Sequence, residues 1–170
     1  MKYLIVSDNH GNRQIIEQLF AHYKNEVDEM IHCGDSELPS SDPLWQGVHV
    51  VTGNCDYDSG YQTSLTIATP LDRILVTHGH LYDVRFGLHR LSLKALEEKA
   101  NLVFFGHTHM IGCEKVGNTL FLNPGSIAQP RGMIQEKSYC IVESTEDAWK
   151  VQYYRADFTI LPELTFEFKK

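Results

Sequence analysis

Residues 2–24 read KYLIVSDNHGNRQIIEQLFAHYK. The run Tyr3–Val6 is apolar without alternation, which suits a strand covered on both faces and predicts a buried strand over 2–7. Ile15, Ile16, Leu19, Phe20 and Tyr23 then recur at helical spacing, so an amphipathic helix is expected over 12–24. VDEMIHCGD and GVHVVTGN follow, each carrying a short apolar run that reads as a further strand. A strand, a helix and then more strands argue for a parallel sheet with helices packed on it.

Further along, SLTIAT and RILVTHGH read as strands joined through Pro70, Leu71 and Asp72. Leu88, Leu91, Ala95 and Leu96 mark a second helix over 87–100, and LVFFGHTH is another strand. IGCEKVGNTLFLN predicts a hairpin about Gly117-Asn118, a favoured turn pair, and KSYCIVES with WKVQYYR predicts a last hairpin across Glu146-Asp147. The expectation is an α/β protein with two packed sheets flanked by helices, in a single domain over 1–170. The tail residues Phe158, Ile160, Leu161, Leu164, Phe166 and Phe168 either cover this core or dock on a second copy in a homo-oligomer, a dimer or tetramer.

Composition narrows the classes. The chain has 170 residues, 42% hydrophobic and 22% charged, which fits one ordinary globular domain. No apolar run approaches the length of a membrane span or of a signal-peptide core, so a cytoplasmic protein is expected. The net charge of -7 and the lack of a basic cluster disfavour long nucleic acid as a partner. The four cysteines form no CxxC pair, which suits a reduced compartment.

The polar residues fall in a pattern. LIVSDNHG delivers Asp8 and His10, MIHCGD Asp35, VVTGNCD Asn54 and Asp56, ILVTHGH His78 and His80, VFFGHTH His107 and His109, and LFLNPGS Asn123 and Ser126. Taken alone, DNH reads as a helix cap with a turn, and a single histidine as a hydrogen-bonded one. Six apolar runs that each end in Asp, Asn or His are a different matter, because strand ends in α/β sheets converge on one site. The donors are oxygens and imidazoles without an obligatory thiolate, which suits Mn, Fe, Ni or Zn and not Ca. Asp8, His10, Asp35, Asn54, His78, His107 and His109 are too many for one such ion and a natural number for two. His22, His32, His49 and His89 lie outside the pattern and are read as structural, as are Cys33 and Cys55.

The ordered motifs DNHGN, GD, GNCD, THGH, GHTH and NPGS resemble the calcineurin-like metallophosphoesterase superfamily, in particular its small bacterial and archaeal phosphodiesterase branch. The resemblance implies a four-layer α-β-β-α sandwich of two mixed sheets flanked by helices. It implies two divalent ions, Mn foremost with Ni, Fe or Zn as alternatives. One would be held by Asp8, His10, Asp35 and His109, the other by Asp35, Asn54, His78 and His107. The implied reaction is hydrolysis of a small phosphorylated substrate, a phosphodiester foremost, by a hydroxide held between the ions.

The chain departs from the broad superfamily at Cys55, where many members carry the histidine thought to protonate the leaving group. Asp56, His80 or solvent are then the candidate proton donors, and weak turnover of unactivated esters is expected. Asn12 is a candidate phosphate contact or a helix cap, and Arg131 a candidate phosphate contact or a surface ion pair. Two other functions use the same superfamily fold. A retromer subunit of eukaryotes is a protein-interaction scaffold with degraded metal ligation, and nucleases are longer, with added domains that grip DNA.

Overall fold

The computed structural model describes all residues, 1–170. Eleven strands form two sheets. The first runs β11 (Ile160–Lys169), β10 (Ala148–Arg155), β9 (Ser138–Ser144), β1 (Lys2–Val6), β2 (Glu29–His32), β3 (Val48–Val50). The second runs β4 (Ser64–Ala68), β5 (Arg73–Thr77), β6 (Leu102–Phe104), β8 (Thr119–Pro124), β7 (Ile111–Val116). β1, β2 and β3 are parallel to one another, as are β5, β6 and β8, and antiparallel strands flank each trio. Both sheets are therefore mixed, as expected.

Residue alternation along the central strands builds the layers. In β1, Tyr3 and Ile5 point to the space between the sheets, where they meet Ile74 and Val76 of β5, Leu102 and Phe104 of β6, and Leu120 and Leu122 of β8. Leu4 and Val6 point the other way, onto Ile16, Leu19 and Phe20 of α1 (Arg13–Tyr23). On the far side, Leu75, Val103 and Phe121 meet Leu91 and Ala95 of α2 (His89–Glu97). The uninterrupted apolar runs are thus the sign of strands covered on both faces, and the layer order is α-β-β-α.

Both helices lie inside the ranges expected for them. The tail covers this chain's own core, one of the two expectations for it. It forms β11, which pairs antiparallel with β10 and buries Leu161 and Leu164 in the inter-sheet core. The strand was missed because Pro162 and Glu163 interrupt its pattern, and an edge strand tolerates both.

At the edge opposite the candidate ligands, a buried carboxylate joins the sheets. Asp72, in the β4–β5 turn, accepts hydrogen bonds from Tyr3 Oη at 2.7 Å, Trp149 Nε1 at 2.9 Å and Ser144 Oγ. The Lys170 ammonium lies 2.8 Å from its Oδ1.

Candidate metal centre

The loops that leave β1, β2, β5 and β6 bring Asp8, His10, Asp35, His78, His107 and His109 to one end of the sandwich. Their backbone is unusual. Asp8, His10, Asp35, His107 and His109 all have φ between 44° and 68°, the left-handed region that side-chain-bearing residues avoid. Strain of this kind persists where surrounding contacts overdetermine it, and functional sites are where it concentrates. Here the contacts are visible: Asp8 N donates to Gly34 O at 3.1 Å, Gly106 N to His78 O at 3.0 Å, and Ser126 Oγ to Asp8 O at 2.7 Å.

Two groups of donor atoms converge. In the first, His109 Nε2 lies 3.1 Å from Asp8 Oδ1 and 3.1 Å from His10 Nε2, and one ligand atom from each of Asp8, His10, Asp35 and His109 falls within 4.8 Å of the others. In the second, Asn54 Oδ1 lies 2.8 Å from His107 Nδ1 and 3.2 Å from His78 Nε2, which is itself 3.3 Å from Asp35 Oδ2. Asp35 touches both groups. Its other oxygen accepts the Cys55 N–H at 2.7 Å.

The far sides of the rings explain the polarity of the near sides. His78 Nδ1 is 2.8 Å from Cys33 O, His109 Nδ1 is 2.7 Å from Gln129 O, and His10 Nδ1 is 2.6 Å from a Glu37 carboxylate oxygen. Each partner is an acceptor, so each Nδ1 carries the hydrogen. In a neutral ring Nε2 then offers only a lone pair. Three lone pairs thus point inward beside Asp8 Oδ1, a buried oxygen without a hydrogen-bond partner. Converging acceptors with no donor among them are what a bound cation satisfies. The donor set fits divalent ions of the borderline kind.

Electrostatics follow from the crowding. Burial opposes ionisation of Asp35, but a protonated His78, whose Nε2 then donates to Asp35 Oδ2, outweighs burial and holds the carboxyl below the usual range; a bound ion would take the place of that proton. Burial, aided by the His78 charge and by Arg85, pushes His107 down to about 4. His32 is also pushed down to about 4 by burial, and its neutral ring accepts the Gly34 N–H and lies 2.8 Å from Asn9 Oδ1. It is structural, as read from the sequence, and it fixes the residue between Asp8 and His10.

The remaining candidates are placed differently from one another. Asn12 caps α1, its Oδ1 accepting the Ile15 N–H at 3.3 Å, which is the capping role expected for it. Asp56 braces two loops: Oδ1 accepts from Glu37 N at 2.6 Å and Ser36 Oγ at 3.1 Å, and Oδ2 from Gly53 N at 2.7 Å. Both of its oxygens are therefore engaged in holding these loops. His80 stands beside the site, its ring 5.3 Å from that of His78, with Nδ1 buried and unpartnered; burial and the His78 charge lower its pKa, so it is neutral near pH 7. Burial and the Asp35 charge push the Cys55 thiol up to about 11. Arg131 donates its N–H to His109 O at 3.0 Å and its side chain has no carboxylate partner, so the surface ion pair is absent.

Sequence reasoning passed over two residues. Glu37 orients His10, and its sign is its place two residues after Asp35. Arg85 Nε lies 3.1 Å from His107 Nε2, and its sign is a lone arginine shortly after THGH.

Known proteins are similar to this chain in sequence and fold. A model of the calcineurin-like phosphoesterase superfamily domain matches residues 1–147. The probable metallophosphoesterase YsnB of Bacillus subtilis is 39% identical over 154 residues, 91% of this chain and 90% of that protein. A solved structure from Streptococcus pneumoniae, described as a predicted phosphoesterase, superposes with a TM-score of 0.97 at 40% identity, covering 99% and 97% of the two chains. Vacuolar protein sorting 29 from Cryptosporidium parvum has a TM-score of 0.79 at 15% identity over 99% and 98%, a likeness of fold alone. Motifs, fold and family model agree, and the chain belongs to the calcineurin-like phosphoesterase superfamily.

Proposed function

We propose that this protein hydrolyses small-molecule phosphodiesters at a centre of two divalent metal ions, manganese foremost. The observation that carries the reading is the set of three histidines whose Nδ1 hydrogens are taken by Cys33, Gln129 and Glu37, leaving their Nε2 lone pairs to face the unpartnered Asp8 Oδ1. Asp8, His10, Asp35 and His109 would hold one ion, and Asp35, Asn54, His78 and His107 the other. Bound there, the pair would supply Lewis-acid charge to the phosphoryl oxygens and lower the pKa of an attacking water.

The chain's own residues do the rest. Asp8 and Asp35 provide the negative charge of the site, and Asp35, which reaches His78 Nε2 at 3.3 Å and lies with Asp8, His10 and His109, joins its halves. Asn54 contributes a neutral oxygen, so it adds no charge that would weaken the electrophilic character of the centre. Its amide donates to Cys55 Sγ at 3.3 Å. His80 is neutral near pH 7, the Cys55 thiol is pushed up to about 11, and the Asp56 oxygens are engaged by the 36–37 loop and Gly53, so the leaving group takes its proton from solvent. Good leaving groups are then favoured.

The competing reading is a scaffold on the same fold. Donors present at every proposed ligand position, with acceptors holding the Nδ1 hydrogens of three of the four rings, favour the enzyme. The test is to strip the protein with chelator and count bound metal on re-addition of Mn, Fe, Ni or Zn. Turnover of an aryl phosphodiester and of the matching monoester is followed in parallel, with Asn54→Ala and His107→Ala beside the parent. About two ions per chain, and diester turnover that tracks metal and collapses in both variants, is the expected result. Absence of stoichiometric metal, or metal without turnover, leaves the scaffold.

A further inference from the structure

The outer face of the second sheet is covered only in part. α2 lies over β5, β6 and Phe121, and beyond it, over β8 and β7, is a cavity of about 570 Å³. That is the volume of a small-ligand site. Register gives it a direction. Asn123 pairs with Gly112, and Phe121 pairs with Glu114. The Asn123 end adjoins the candidate ligands, because Asn123 Nδ2 donates to Gly106 O at 2.7 Å and to Thr108 Oγ1 at 3.0 Å.

Charge is distributed along this direction. Arg85 and Arg131 both line the cavity, and both are anchored at its metal end, Arg85 through His107 Nε2 and Arg131 through His109 O. Of the six arginines in the chain, Arg13, Arg73, Arg90 and Arg155 each pair with a carboxylate, whereas Arg85 and Arg131 do not. Past them the walls are Val84, Leu88, Phe105 and Phe121, and Glu114 stands at the far end.

We propose that this cavity receives one ester substituent of the substrate, an uncharged apolar group of aryl size, while Arg85 and Arg131 hold phosphoryl oxygens at its mouth. The inference rests on the phosphodiesterase reading above. Apolar walls favour such a substituent, and Glu114 at the far end rejects a second phosphate or a carboxylate. Arg85 is free for this task once the site is loaded. His107 faces Asn54 through Nδ1, so a metal ligated by that atom leaves the hydrogen on Nε2, and an N–H cannot accept from Arg85. The guanidinium then needs another acceptor, which an anionic ester supplies as a bidentate partner.

The test uses two phosphinates, whose P–C bonds are not cleaved. Dimethylphosphinate and diphenylphosphinate are titrated into the zinc-loaded chain by calorimetry, and the Met110 methyl resonance is followed by NMR, since Met110 lines the cavity. Diphenylphosphinate is expected to bind about tenfold more tightly or better, and it alone should move Met110. In Gly112→Leu the new side chain enters the cavity face, where a Cβ meets nothing nearer than Asn123 Cβ at 3.9 Å. That variant should bring the preference down to about threefold or less while the dimethyl compound binds as before. Arg131→Gln should weaken both by roughly fivefold. Equal affinities, or an unmoved Met110, overturn the cavity assignment alone. Binding of neither phosphinate overturns the phosphodiesterase reading, and the cavity assignment with it.

Discussion

Gly106 and Asp8 are packed so closely that a Cβ on the glycine would lie 2.6 Å from Asp8 Oδ2, with Ser7 Oγ nearer still at 2.0 Å. The glycine of GHTH is there for close approach, since its φ is not in the left-handed region. Gly106→Ala must displace the carboxylate that faces His109. Metal affinity should fall by about 10–100-fold, the usual cost of disturbing a ligand's support. Gly112→Ala is the matched control, with its nearest neighbour at 3.9 Å, and should leave affinity unchanged. Equal metal titrations for the two variants would contradict this account.

Asp72 predicts a pH-dependent stability. Burial by itself would raise its pKa, but the Lys170 ammonium and the donors Ser144, Tyr3 and Trp149 outweigh burial and hold the carboxyl below its ordinary range. A folded pKa below the unfolded value of about 3.9 means that the stabilisation is complete above that pH and is lost as pH falls through the folded pKa. Asp72→Asn should cost about 3 kcal/mol at pH 7, because it strips the partly covered Lys170 ammonium of its partner and sets a neutral amide against three donors in a buried place. The gap between variant and parent should narrow below about pH 4, where the parent carboxyl also takes up a proton. Urea midpoints at pH 7 and pH 3 measure it, and a gap that does not change with pH would show that the charge on Asp72 is not what stabilises the sandwich.

The layers were legible because their signal is local. Tyr3–Val6, Ile74–Val76 and Leu102–Phe104 are unbroken apolar runs, which only strands buried on both faces require. The convergence of the seven candidate ligands was legible for a related reason: each follows such a run, and the fold sends the parallel strands' ends to one place. What escaped is set by tertiary contact. β11 breaks its pattern at Pro162 and Glu163, Glu37 acquires meaning only from its 2.6 Å contact with His10, and Arg85 only from the position of His107. Asp56 and Asn12 carried functional residue types, yet their oxygens are taken by backbone N–H groups that no spacing rule reveals.

Cys55 predicts a limit on the chemistry. A thiol pushed up to about 11 by burial and by the Asp35 charge is a poor proton donor at neutral pH. Cys55→Ser should therefore leave turnover of a 4-nitrophenyl diester within about threefold of the parent, since that leaving group departs unprotonated. Cys55→His should raise turnover of an alkyl diester by roughly 10–100-fold by supplying a general acid of suitable pKa. Steady-state rates on the two substrates decide the matter. An alkyl diester rate untouched by the histidine would show that leaving-group protonation is not what limits this enzyme.

Glu37 offers a way to separate the two ions. Its carboxylate oxygen lies 2.6 Å from His10 Nδ1, and His10 belongs to the first donor group only. His78 and His109 are held by main-chain carbonyls, which substitution cannot remove, so of the three rings with an acceptor on Nδ1 outside the donor groups His10 is the one oriented by a replaceable side chain. In Glu37→Ala the His10 ring loses the acceptor that fixes its hydrogen on Nδ1, so the tautomer that carries the hydrogen on the ligand side is no longer disfavoured. The first ion should then bind about tenfold more weakly while the second, held by Asp35, Asn54, His78 and His107, keeps its affinity. Metal titration of the variant should show a plateau near one ion per chain before the second loads, with turnover following the second step. Glu29→Ala, which removes the equivalent 2.9 Å partner of His49 on the outer strands, should leave the titration as in the parent. Loss of both ions together in Glu37→Ala would instead mean that the two donor groups bind as one cooperative unit through Asp35.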